Sequence, residues 1–126
     1  MKSFRLPIFI LLLTVLLCLF AGSRVTRCTD AWKQQLQQAD DLVRREQWVQ
    51  AEAALTDLYA RWDSQQEWLH MLIEHQELDE TEALLHRCIA FAQQREGDEL
   101  RADMAELRTQ LTLLDEMQRL TLRNIL

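Results

Sequence analysis

WVQAEAALTDLYARWDSQQEWLHML, residues 48–72, decides how this chain folds. Trp48, Leu55, Trp62 and Leu69 recur every seven residues, and Ala51, Leu58 and Leu72 fill the interleaved positions. Two turns of α-helix take about 7.2 residues, so this recurrence draws a single apolar stripe along a helix. A half-buried strand would instead alternate at every second residue. The stretch predicts one long helix buried along one side, with Gln65 the single polar interruption of the seam.

The surrounding sequence agrees. Two glycines and one proline in 126 residues are far below average usage, about 7% and 5%, and turn-rich β folds need both. Pro7 and Gly22 lie near the N-terminus, which leaves Gly97 as the one strong breaker further on. Upstream, Trp32, Leu36, Ala39 and Val43 predict a helix from about Asp30 to Arg45, with Thr29 or Asp30 as N-cap. Downstream, Leu85, Cys88, Ile89, Phe91 and Ala92 predict a helix from about Asp79 to Arg95. Gly97 would end that helix and Asp98 would cap the next. Leu100, Met104, Leu107, Leu111, Leu114 and Met117 mark the last, running through Leu120 toward Ile125. Residues 48–62 and 100–114 share Ala53/Ala105 and Leu55/Leu107 at an offset of 52, which stacked helical hairpins would produce.

No charge occurs from Leu6 to Ser23. Eighteen residues at about 1.5 Å each span roughly 27 Å, just enough for the hydrocarbon core. Lys2 and Arg5 precede the run and suit a cytoplasmic N-terminus, but Arg24 and Arg27 follow it, so the positive-inside rule is only weakly obeyed. Ala21-Gly22-Ser23 would also suit signal peptidase, although an anchor is favoured. Neither Cys18 nor Cys28 has the small preceding residue of a bacterial lipidation site. The expected organisation is a membrane anchor over residues 1–23 and an extracytoplasmic helical domain over 24–126. The expected fold is all-α: a transmembrane helix, then an antiparallel helical-hairpin domain of about four helices, tetratricopeptide-like or a bundle.

Without Lys2 and Arg5, 12 basic residues face 20 acidic ones, a balance of −8. Nucleic-acid affinity rests on neutralised phosphates, so nucleic acid is not an expected partner. The same acidity argues against a body lying flat on an anionic leaflet. Cys18 sits in the apolar run, and Cys28 and Cys88 could pair only if the fold brought them together; unpaired cysteines are the simpler expectation.

EHQELDETEALLHR, residues 74–87, holds two histidines and five carboxylates. On one continuous helix His75, Asp79, Glu82 and His86 would share a face, with His70 about 140° away. Asp79 with Glu82 also has the form of an acidic capping box, which would break the helix there. That second geometry is preferred, because the stripe of the preceding helix fades after Leu72. It makes the segment a corner in which Trp68, His75, Glu77, Asp79, Glu82 and Arg87 form a structural polar network. A metal or ligand site on His75, Asp79, Glu82 and His86 is the alternative. Against it, di-iron bundles use Glu-x-x-His, whereas Glu82 and His86 stand four apart. No Cys pair or His-Glu-x-x-His occurs, and no Ser or Cys adjoins a His in a nucleophile motif, so neither cofactor nor catalysis is expected. Trp32, Trp48, Trp62 and Trp68 lie on apolar stripes as core residues, unless exposed members form a docking groove.

Trp48 with Ala51 and Leu55, then Trp62, then WLHMLIEHQELDETEALLHR (68–87), then LTLRNIL (120–126), resembles the small bacterial family of domains of unknown function numbered 4363. The most specific match is His-x-Glu-x-Asp at His75, Glu77 and Asp79, and Arg87 and Asn124 also fit. The chain departs from the pattern at Thr81, where an aliphatic residue is expected, and near Asp115, where a proline is frequent. The resemblance implies a membrane segment, about a hundred helical residues and a Gram-positive setting, but no catalytic residue. The expected role is non-enzymatic, an interaction or adaptor partner of an envelope or membrane protein, with Trp32, Trp48, Trp62 and Asn124 as candidate contacts.

Overall fold

The longest element of the computed structural model is α1 (Lys2–Arg44), one helix of 43 residues. It is followed by α2 (Trp48–Asp63), α3 (Gln66–Leu72), α4 (His75–Gln94) and α5 (Gly97–Ile125). The structure describes residues 2–125; the side chains of Lys2, Ser3 and Ile125 lie outside that description, as do Met1 and Leu126, the outer limits of the two expected segments.

α1 corrects the expected start of the first helix near Asp30. The backbone runs from the apolar segment into the body without a break, so neither Thr29 nor Asp30 caps anything. Thr29 is instead buried, its hydroxyl donating to the Thr26 carbonyl at 3.0 Å. The buried positions of α1 are Gly22, Val25, Thr29, Trp32, Leu36, Ala39 and Val43, a strict alternation of three and four. Leu100, Met104, Leu107, Leu111, Leu114 and Gln118 repeat that spacing on α5. Two stripes of this kind pack as knobs into holes at a shallow angle.

The partners are antiparallel throughout. Along α1 and α5, Thr26 meets Asp115, Gln37 meets Arg108 and Asp40 meets Arg101. Along α1 and α2, Trp32 meets Trp62 and Gln35 meets Asp57. Along α2 and α4, Glu52 meets Gln93 and Tyr59 meets His86. Along α4 and α5, Glu77 meets Gln110 and Arg87 meets Asp103. Each of the four long helices thus packs chiefly on two others, α5 closing back on α1. The offset of 52 reflects two amphipathic helices in one heptad phase: Leu55 and Leu107 are buried, Ala53 and Ala105 exposed.

The single long helix expected over 48–72 is two. Its stripe survives, with Trp62 and Leu69 both buried, but the helix is interrupted at Ser64 and Gln65. Ser64 Oγ donates to the Arg61 carbonyl at 2.7 Å, a local bond that competes with continued helix. The next turn falls at Ile73 and Glu74, not at Asp79: Glu74 is the N-cap of α4, and Ile73 is extended and buried. Asp79 lies in the second turn of α4, so the capping-box reading of Asp79 and Glu82 is wrong. Thr81, the position where an aliphatic residue was expected, is fully buried, and its hydroxyl is satisfied by the Glu77 carbonyl at 2.9 Å.

Gly97 also differs from expectation. The left-handed C-cap of α4 is Arg95, with φ 57°, and Gly97 is the first residue of α5. A Cβ on Gly97 would meet the Trp48 ring at 3.3 Å, so the glycine admits that ring rather than making the turn. A non-glycine residue in the left-handed region carries a steric cost. Arg95→Gly is expected to stabilise the protein by about 1 kcal/mol, read as a small rise in melting temperature.

Candidate functional site

At the end of the apolar run, α1 passes between α2, α3 and the last turns of α5. The most apolar eighteen-residue window of α1 has mean hydropathy 2.6 and is almost wholly exposed, so this helix is long and apolar enough to cross a membrane. Arg24 follows directly. Its guanidinium lies 4.6 Å over the Trp68 ring and donates to Gln65 Oε1 at 3.2 Å. The Trp68 indole N–H donates to the same oxygen at 2.5 Å. Gln65, the lone interruption of the seam, is what pins α3 against α1.

Arg24, Arg27 and Arg61 line one cleft of about 470 Å³ with Phe20, Trp32 and Gln35, and no carboxylate lines it. Arg61 bonds Asp57 at 3.1 Å, whereas Arg24 and Arg27 form no ion pair among the described residues. Gln35 donates to Asp57 at 3.2 Å, while its Oε1 is buried without a hydrogen-bond partner. Cys28 stands in the same cleft, its thiol pushed up by burial against the opposing pull of Arg24 and Arg27.

A second polar group locks α5 to α1 just beyond the apolar run. Asp115 accepts from Thr26 Oγ1 at 2.7 Å and from Gln118 Nε2 at 3.1 Å, and pairs with Arg119 at 3.2 Å. Burial alone would raise the Asp115 carboxyl, but these bonds outweigh it and hold the group below its ordinary value of 3.8. Close approach is possible because residue 22 is glycine: a Cβ there would lie 2.7 Å from Leu122 Cδ1. Since the folded carboxyl has the lower pKa, its contribution is complete above the ordinary Asp range and is lost as pH falls through the folded value. Asp115→Asn is therefore expected to flatten the loss of stability below about pH 4, measured by urea melts across that range.

The residues expected to form one polar corner are divided among separate places. His75 Nε2 meets Asp79 Oδ2 at 3.2 Å, but the side chains are 75% and 60% exposed, so they lie on the surface and not in a buried corner. His70, which a continuous helix would exclude, is the neighbour of His75: their Nδ1 atoms are 3.3 Å apart, because the chain turns between α3 and α4. Glu77 accepts from Gln110 at 3.1 Å. Arg87 donates to the buried Asp103 at 2.8 Å. Glu82 lies near Tyr59, whose hydroxyl is pushed up by burial and by this carboxylate, and the His86 ring lies 4.7 Å from the Tyr59 ring. Trp68 lies apart, under Arg24 and bonded to Gln65. All four residues of the alternative metal set are on α4, yet among the described residues no group of three or more His, Cys, Asp or Glu is placed to hold a metal ion. His75→Ala and Asp79→Ala are each expected to change stability by less than about 0.5 kcal/mol, with melts unmoved by zinc or chelator.

Of the candidate contacts, Trp32 and Trp62 are core residues, packed edge to face at 5.4 Å, and are not available for docking. Trp48 is half-buried over Gly97, and Asn124 is exposed. Cys28 and Cys88 are unpaired. Burial pushes the Cys88 thiol up to about 12, so it stays neutral.

Sequence reasoning missed the arginine cleft, although both of its anomalies were visible: a glutamine in an apolar seam, and two arginines following the span. What could not be read from spacing is that they meet. An all-α protein, with five helices among the described residues and an apolar N-terminal one, is the class these observations define. Residues 19–125 match the family described as Domain of unknown function (DUF4363), and the chain belongs to that family. No curated protein and no solved structure matches it.

Proposed function

We propose that this is a single-pass membrane protein whose helical body, a closed antiparallel bundle on the extracytoplasmic side, acts as a non-enzymatic adaptor for another envelope protein. The observation that carries the reading is the continuity of α1, which leads from the exposed apolar run into the core without a linker. A flexible tether would only raise local concentration. A continuous helix also sets the direction in which the body faces. The far end, reached about 30 Å beyond Arg24, carries the half-buried Trp48 and the exposed Val49, the apolar pair nearest to a docking surface there. Support for a non-catalytic role comes from the histidines, which sit at the surface in structural contacts, and from the neutral, buried Cys88.

A photoreactive side chain at Val49 of the full chain, activated in native membranes, tests this. The expected result is one discrete adduct with an integral membrane protein, lost when Trp48 is also replaced by Ala. Adducts only with lipid, or a diffuse set unchanged by Trp48→Ala, would contradict it.

A further inference from the structure

The net acidity of the body hides a local exception. Arg24 and Arg27 remain without carboxylate partners among the described residues, in a chain with 20 acidic residues. They also lie after the span, where the positive-inside rule disfavours arginine. We propose that the cleft between α1 and α2 binds the phosphate of an anionic phospholipid in the leaflet on the body's side, with Arg24 and Arg27 as the phosphate ligands and Arg61, paired with Asp57, at its border.

Depth supports the assignment. Arg24 and Arg27 are the first and fourth residues after Ser23, roughly 2 and 6 Å beyond the apolar run, and a headgroup layer is about 5–8 Å thick on each side. Phe20 lines the cleft from the end of the apolar run, on the acyl-chain side. The same end of the molecule is apolar where it would meet a leaflet: Met71 is 83% exposed and Leu120 55%, with Trp68 half-buried between water and core. Tryptophan at the headgroup level is the usual aromatic belt. Charge selects the lipid. Guanidinium forks bind phosphate oxygens in pairs, and two guanidinium groups without ion pairs, in a cleft that no carboxylate lines, would repel the ammonium of a zwitterionic headgroup. The acidic surface elsewhere confines contact with the leaflet to this end, so the anionic lipid is held at one site.

The inference rests on α1 crossing the bilayer, and the experiment separates the two. Full-length protein is placed in nanodiscs of equal phosphatidylglycerol and phosphatidylcholine, and co-released lipid is counted by native mass spectrometry. Phosphatidylglycerol is expected to be enriched roughly tenfold in the bound fraction. Arg24→Gln with Arg27→Gln should abolish the enrichment, and Arg44→Gln with Arg45→Gln, at the far end, should preserve it. Should the double variant misfold, Arg27→Gln alone, a residue free of ion pairs, should still reduce it. Millimolar inorganic phosphate should leave the bound lipid in place. Equal retention of both lipids, or enrichment that survives loss of the arginines, overturns the assignment. Displacement by phosphate overturns it too, in favour of a soluble phosphate ligand. A chain that fails to enter nanodiscs overturns the membrane reading itself.

Discussion

Leu55→Ala is expected to cost about 2–5 kcal/mol and to lower the melting temperature by many degrees. Leu55 is fully buried at the middle of α2, between the core faces of its neighbours. Removing three carbons there takes away their transfer free energy and leaves a cavity that rigid helices only partly close. A domain of this size holds about 5–15 kcal/mol in total, so a full-length protein reconstituted in lipid should show the loss in a denaturant melt. A melt within a degree of the parent would mean that the stripe of residues 48–72 faces solvent.

Trp62→Ala should be as damaging, about 3–5 kcal/mol, because it removes the partner of Trp32 and the largest fully buried side chain. The comparison with Trp62→Phe is the sharper test. Trp62 Nε1 is buried without a hydrogen-bond partner, and an unsatisfied donor costs about 1–3 kcal/mol. Phenylalanine keeps much of the apolar contact and drops that donor. The Phe variant is therefore expected to retain most of the stability that the Ala variant loses. Equal loss in both would show that indole shape, and not apolar volume, is what the core requires.

These positions were legible in the sequence because a heptad stripe reports burial directly. Leu55, Leu58, Trp62 and Leu69 are buried as the spacing implied, and so are Leu107, Leu111 and Leu114. The breaks between helices were less legible. Gly97 is a strong statistical stop, yet the turn is made by Arg95 in the left-handed region, since Trp48 needs the space over Gly97. Asp79 and Glu82 have the spacing of a capping box, but Ile73 must reach the core, and that moves the turn to Glu74. The polar site was least legible. Ionic clusters in sequence suggest a site at residues 74–87, whereas the cleft without a carboxylate is lined by Arg24 and Arg27, brought beside Gln65 by the antiparallel pairing of α1 with α2 and α3. Such a meeting depends on tertiary register, which local spacing does not encode.

The proposed passage of α1 as one helix from bilayer to body can be measured most directly by spin labels placed one at a time from Leu12 to Lys33, in the full chain reconstituted into lipid. Accessibility to oxygen, which partitions into the bilayer, is compared with accessibility to a water-soluble nickel complex. The expected result is one helical period of about 3.6 residues through the whole scan, with Leu16 and Leu19 in lipid, Asp30 and Gln34 in water, and the crossover near Ser23. Loss of the helical phase between Phe20 and Cys28, water at Leu12 and Leu16, or a mature chain that begins at Arg24 would contradict a span built rigidly into the bundle.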